Sequence, residues 1–158
     1  MPCVVIIYDS VTKNTAQMAE ILAAELKKLD TPCDLFHVDD FEVKKLLDYD
    51  GIIVGTPNYF GSMSNKLKKL FDDSVRYYRK LDGKLGAAFC STGIIGGGGE
   101  TAIIDVLTAM MIHGMIVMGS PHSGHYGVLS IGSPDERVKK ELSEWASRFV
   151  KVLNKLFA

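Results

Sequence analysis

Several things are scarce or missing in this chain, and each narrows what it can be. No apolar stretch reaches the ~18 residues that a membrane-spanning helix needs. An excess of one charge sign is also missing: 18 basic side chains face 19 acidic ones, a formal net charge of −1. That balance excludes a generic polyanion binder, because nucleic-acid domains usually carry a basic excess. Cysteine is sparse and odd in number, with only Cys3, Cys33 and Cys90. All three lie in apolar, strand-like segments without metal-ligand spacing, so they read as reduced core cysteines of a cytosolic protein, and no metal site is expected. Met1 runs directly into a strand pattern with no basic leader, so the expected location is cytoplasmic. No repeat or linker interrupts the 158 residues, which suit a single domain, 1–158, with one sizeable core.

What is present is an alternation of two periodicities. Cys3 to Tyr8 is an apolar, β-branched run, the signature of a strand buried on both faces. Met18, Ile21, Leu22, Leu26 and Leu29 then recur at helical spacing, with Glu20, Glu25, Lys27 and Lys28 opposite. Strands are expected at Cys33–Val38, Gly51–Gly55, Leu85–Cys90 and Met115–Met118, with weaker strand character near Val128–Ile131. Val43, Leu46 and Leu47 suggest a brief helix. Longer helices are expected over Asn65–Tyr78, with Leu67, Leu70, Phe71, Val75 and Tyr78 inward, and over Glu100–Ile112. The last helix opens near Pro134-Asp135. Its Val138, Leu142, Trp145, Phe149, Val152 and Leu156 resemble a heptad seam, but one too short to outweigh packing on a sheet. Alternating strands and helices imply an α/β fold: a doubly wound, five-stranded parallel sheet with right-handed crossovers. Ligands in such sheets bind beyond the carboxyl ends of the strands, where strand order reverses.

Three loops follow strands and would meet there. The first, Ser10-Val11-Thr12-Lys13-Asn14-Thr15, offers three hydroxyls and an amide just before a helix. A helix N-terminus has unpaired N–H groups and partial positive charge, which suit a phosphate. A single helix cap would account for one hydroxyl, not three. The second, Pro57-Asn58-Tyr59-Phe60-Gly61, has two aromatics in a glycine-bounded turn. The third runs from Ser91-Thr92-Gly93 through Gly96 and Gly97 to Gly99. Gly97 to Ala102 also fits a G-x-G-x-x-A dinucleotide pattern. It lies well past its strand, and no acidic residue follows at about twenty positions to hold a ribose, so that reading fails.

Together these loops resemble the flavodoxin superfamily, and within it the flavodoxin-like NAD(P)H:quinone oxidoreductases of the Trp-repressor-binding-protein type. Tyr8 to Thr15 resembles the S/T-x-T-G-x-T phosphate loop, Gly55 to Gly61 the G-T-P-x-x-F-G segment, and Ser91 to Gly99 the S-S-T-G-x-x-G-G-G loop. Ile112-His113-Gly114-Met115 and His125-Tyr126-Gly127 fall where that family has H-G-M and P-Y-G. The resemblance implies the strand order 2-1-3-4-5 and FMN as cofactor. It places Ser10 to Thr15 at the phosphate, Pro57 to Gly61 along the isoalloxazine, Ser91 to Gly97 at its pyrimidine end, and Tyr126 nearby. His113 and His125 are the candidate catalytic groups. His122 and His125, three apart, have no further ligand nearby that would make a metal site.

Two departures stand out. Glycine is usual where this chain has Lys13; a left-handed backbone there would cost lysine about 1–2 kcal/mol, which an approach of its ammonium to the phosphate would offset. Two adjacent histidines are usual before G-M, and here the first is Ile112. The implied function is an FMN-dependent NAD(P)H:quinone oxidoreductase, with a nicotinamide donor and a quinone-like acceptor. The absence of an aromatic in the 91–99 loop favours it, since one ring face then stays open. The alternative is a flavodoxin-type carrier passing single electrons to a redox protein partner; the short chain favours it, and the missing acidic excess does not. Neither nucleic acid nor membrane is an expected partner, and self-association, common in the resembled enzymes, does not carry over automatically to this shorter chain.

Overall fold

The opening apolar run becomes β1 (Val4–Tyr8), with its first four residues buried. It lies between β2 (Cys33–His37) and β3 (Gly51–Pro57), so that Val4 has Cys33 on one side and Gly51 on the other. β3 pairs onward with β4 (Leu85–Thr92), and β4 with β5 (Ile116–Val117). The resulting order in this computed structural model, which describes residues 1–158, is β2-β1-β3-β4-β5, all parallel. This is the flavodoxin-like arrangement expected from the sequence.

The fifth position is filled in two pieces. β5 pairs only with Leu85 and Gly86. The chain then leaves the sheet and returns as β6 (Leu129–Ile131), which runs parallel beside Cys90, Ser91 and Thr92. Gly127 marks the return. A Cβ there would lie 2.0 Å from the carbonyl oxygen of Ala88, so only glycine lets the loop close against β4.

Four helices cover the sheet: α1 (Asn14–Lys28), α2 (Asn65–Asp73), α3 (Gly99–Ile112) and α4 (Glu136–Phe157). Alternate strand residues feed two cores. Val4, Ile6, Ile53 and Phe89 pack with Met18, Leu22, Leu26, Trp145 and Phe149 of α1 and α4. Val5, Ile7, Ile52 and Val54 pack with Leu67, Ile103, Val106 and Met110 of α2 and α3. Asp135 caps α4, accepting the Val138 N–H at 2.9 Å. The buried stripe of α4 follows Val138, Leu142, Trp145 and Phe149 but ends on Leu153, leaving Leu156 exposed. A straight helix of 3.6 residues per turn drifts off a heptad seam in this way, so the stripe is core and not coiled coil.

Two expectations need correction. α2 stops at Asp73, and Ser74–Tyr77 tightens into a 3-10 turn. Val75 and Tyr78, expected inward, are 72% and 53% exposed. The reason is local: buried Ser74 donates its hydroxyl to the Phe71 carbonyl at 2.6 Å, competing for the acceptor that a further α-turn would use. The second concerns His113. It follows α3, whose 14 residues at ~1.5 Å each carry the chain across to the amino edge of the sheet. There the imidazole is buried, with Nε2 2.7 Å from Ser74 Oγ. Since the Ser74 proton goes to Phe71, the Nε2–H donates to the serine oxygen. His113 thus lies at the edge away from the loop ends, where it lines a cavity of about 630 Å³ with Met63, Val75, Tyr78 and Asp105.

Two measurements follow. Gly127→Ala forces β6 and its loop away from β4 and lowers the unfolding free energy by about 1–3 kcal/mol, readable by urea denaturation. Burial holds the His113 pKa below the ordinary histidine range. The unfolded chain therefore takes up a proton below about pH 6.5 that the folded chain resists, so stability is full above that pH and declines as pH falls through it. His113→Gln flattens this decline between pH 7 and 5 when unfolding is followed across that range.

Candidate functional site

β1, β3 and β4 end side by side, and the three loops emerge from those ends. Tyr8 pairs with Gly55, and Pro57 with Ser91. Two further backbone bonds extend the ladder into the loops: the Asp9 N–H donates to the Gly55 carbonyl at 3.1 Å, and the Asn58 N–H to the Ser91 carbonyl at 2.8 Å.

In the first loop, Lys13 adopts the left-handed conformation, with φ of 70°. The strain anticipated for a lysine in the usual glycine position is therefore present. Lys13, at the N-cap of α1, makes no side-chain cap, and the first turn carries no acidic residue. The N–H groups of Asn14 and Thr15 have no acceptor within the protein. Ser10 Oγ accepts the Ala16 N–H at 3.2 Å, which leaves its own proton free to donate. Val11, Thr12 and Lys13 are exposed. Thr15 is different: it is buried, and its hydroxyl lies 2.8 Å from Ser91 Oγ, tying the first loop to the third.

The second loop is a tight turn with Tyr59 and Ser62 bridged across it. Both central residues, Phe60 and Gly61, have positive φ, of 53° and 76°. The turn throws the Phe60 ring wholly into solvent. Asn58 spends its whole amide on holding the loops: Nδ2 donates to Thr92 Oγ1 at 3.0 Å and to the Gly97 carbonyl at 2.6 Å, while Oδ1 accepts the Gly61 N–H at 2.9 Å. Asp105 of α3 supports the same turn, accepting from Ser62 Oγ and from the Met63 N–H through one oxygen. In the third loop Ser91 and Thr92 are buried, whereas Gly93 to Gly96 project into open space, with Ile94 and Ile95 exposed.

Sequence reasoning overlooked several contributors. Asp105 had a legible signal, as the one carboxylate in the apolar interior of α3. Asp9 and His37 had none, because only the pairing of β1 with β2 brings them together. Asp9 is buried, accepts the Ser10 N–H at 2.9 Å, and faces His37 Nε2 at 3.4 Å. His37 Nδ1 accepts the Asp39 N–H. Lys66 bonds Asp39 at 2.6 Å and holds that carboxyl below its usual range. Of the remaining candidates, His125 and Tyr126 line a different cleft of about 290 Å³ with Glu100, Leu129, Ile131 and Arg137. His125 Nδ1 is 2.8 Å from the Ser120 carbonyl. No group of acidic, histidine and cysteine side chains is arranged to hold a metal ion. Cys90, just before the third loop, is buried, and its thiol is pushed up to about 12, too high for it to serve as a thiolate.

The site thus consists of an open helix N-terminus, an aromatic turn and a glycine-rich loop, joined by buried hydrogen bonds. Comparison with known proteins shows the family. The model of the family described as NADPH-dependent FMN reductase matches residues 2–125. A flavodoxin of Aquifex aeolicus is 37% identical over 93% of this chain and 88% of its own. An NAD(P)H dehydrogenase (quinone) of Archaeoglobus fulgidus is 30% identical over 99% of this chain and 100% of its own. Among solved structures, a WrbA-like flavodoxin from Agrobacterium tumefaciens superposes with a TM-score of 0.83 at 21% identity, covering 98% of this chain and 99% of that one. A Fusobacterium nucleatum flavodoxin bound to flavin mononucleotide superposes with a TM-score of 0.73 at 20% identity, covering 96% and 99%. The chain belongs to the NADPH-dependent FMN reductase family of flavodoxin-like proteins.

Proposed function

We propose that the three loops hold FMN and that the holoprotein carries two electrons from NAD(P)H to a quinone-like acceptor. In this reading Ser10, Thr12 and Asn14, with the free N–H groups of α1, take the phosphate. Tyr59 and Phe60 flank the isoalloxazine, with Pro57 and Gly61 beside them, and backbone from Ser91 to Gly97 meets the pyrimidine end. The observation that carries it is the start of α1, with two unspent N–H groups, lying beside a turn and a glycine loop that Asn58 and the Thr15–Ser91 pair tie together. The residues fit the group: the phosphate end offers hydroxyls, an amide, Lys13 and unspent N–H groups, and the projecting backbone of Gly93 and Gly96 leaves room for a planar ring.

Bound flavin supplies the electron-accepting and electron-donating chemistry. The chain binds it, orients it and sets access to it. Thr15 and Asn58 act in this scheme as positioning residues, since their side chains bond to the third loop. No aromatic stands in the 93–96 segment, so one ring face is open to a nicotinamide. The positive end of α3, at Gly99, favours negative charge at the pyrimidine end. No helix is long and apolar enough to cross a membrane, and a cytoplasmic location goes with the proposed donor.

A one-electron carrier is the second reading, and one observation favours it. Val11, Tyr59, Phe60, Ile94 and Ile95 are all exposed on the loops around the crevice. An apolar collar of this kind suits contact with a redox protein.

Steady-state assays separate the two. Purified holoprotein is expected to be yellow and to reduce benzoquinone with NADH or NADPH faster than free FMN does. No turnover, together with two well-separated one-electron midpoints in a potentiometric titration, assigns the carrier. Colourless protein that leaves FMN fluorescence unquenched removes the cofactor. Asn58→Ala loosens both ring loops and weakens FMN and riboflavin alike, by about tenfold in Kd measured by fluorescence quenching.

A further inference from the structure

We propose that Lys13 is the determinant by which this site selects a phosphorylated flavin over an unphosphorylated one, and that the protein gives up folding stability to keep it there. The inference rests on the FMN reading above and deepens it.

Three observations converge on this residue. First, its backbone sits at φ 70° and ψ −2°, a conformation that glycine adopts freely and lysine does not. Lys13 makes no side-chain cap to α1 and no ion pair, so nothing within the protein offsets that strain. Second, Lys13 is the one cation on the loop. Every other side-chain donor on it is neutral: Ser10, Thr12, Asn14 and Thr15, the last already engaged with Ser91. Third, the loop starts on a buried anion. Asp9, 4% exposed, accepts the first N–H of the loop.

A phosphate at the start of α1 would sit one short loop away from that carboxylate. The groups facing Asp9 from neighbouring elements are engaged elsewhere. His37 has Nε2 3.4 Å from Asp9 while its Nδ1 accepts the Asp39 N–H, and Lys66 is engaged by Asp39 at 2.6 Å. Lys13 is exposed, unpaired and placed directly before the free N–H groups of Asn14 and Thr15. Its ammonium is the loop's own means of balancing a phosphate against Asp9. A charge-assisted contact of this kind is lost when the ligand lacks phosphate and weakens as salt screens it.

The experiment pairs two substitutions with two ligands and one apo measurement. Lys13→Gly removes strain and charge; Lys13→Arg keeps both. The Kd values of FMN and riboflavin are measured by flavin fluorescence quenching at low and high salt, and the melting temperature of apoprotein by circular dichroism. In Lys13→Gly, the FMN Kd is expected to rise about tenfold at low salt with riboflavin unchanged within about twofold, while the apo melting temperature rises by about 2–4 °C. Lys13→Arg should match wild type in both ligand preference and melting temperature. FMN binding that Lys13→Gly leaves intact overturns the proposal, as does equal weakening of both flavins, which would make the lysine a matter of loop shape. Wild-type protein that binds neither flavin overturns the cofactor reading itself, and the assignment of Lys13 with it. Wild type that binds FMN while the Lys13→Gly result fails leaves the cofactor standing and removes only the lysine.

Discussion

The position of β1 between β2 and β3 is the constraint on which the site depends. The chain leaves β1 outward to β2, then crosses back over β1 to lay down β3 on the other side. Crossovers on the two sides of that reversal diverge, so the ends of β1 and β3 are not covered by a connection. The first and second loops open into that gap, and the third joins them because β4 pairs with β3 as far as Pro57 and Ser91. Burial of β1 on both faces makes the arrangement rigid: Val4, Ile6 and their neighbours feed one core, Val5 and Ile7 the other.

Rigidity at the strand ends is passed to the loops by hydrogen bonds that are mostly neutral. The Asn58 amide joins the second loop to the third, and Thr15 joins the first to the third. Neutral bonds suit a place where charge is to be added, since they leave the electrostatic balance to a few groups: the start of α1, Lys13, and the Asp9–His37–Asp39–Lys66 chain behind them. The loops also carry apolar side chains outward, Phe60 above all, on a turn whose backbone only a few sequences tolerate. Two of the four non-glycine residues with positive φ, Lys13 and Phe60, lie on these loops; the other two, Asp30 and Arg79, lie at the opposite edge, as does the His113–Ser74 contact.

The two kinds of misreading have different physical origins. Val75 and Tyr78 continue the apolar rhythm of α2, and rhythm alone extends the helix; the serine hydroxyl that turns the chain at Ser74 is a single local bond without periodic signature. His113 was drawn to the site by neighbouring sequence, yet a helix of α3's length carries its two ends to opposite edges of the sheet. Thr15 and Asn58 read as ligand contacts because they are polar and lie in loops. Their partners, Ser91, Thr92 and Gly97, are more than thirty residues away, and nothing local to either residue announces them.

By itself the sequence determined most of the elements and their order along the chain, because buried parallel strands and amphipathic helices differ in period and length. It also singled out three polar or glycine-rich loops that follow strands, the place where alternating α/β chains bind ligands. Lys13 was already visible as the odd residue in the phosphate loop. Only the tertiary structure decided what each loop residue does. It turned Thr15 and Asn58 into ties, set Asp9 against His37, and gave Lys13 its left-handed backbone. Those outcomes depend on which atoms meet across strand pairs and loop ends, at distances of about 3 Å, and such meetings are properties of the folded chain, not of any segment.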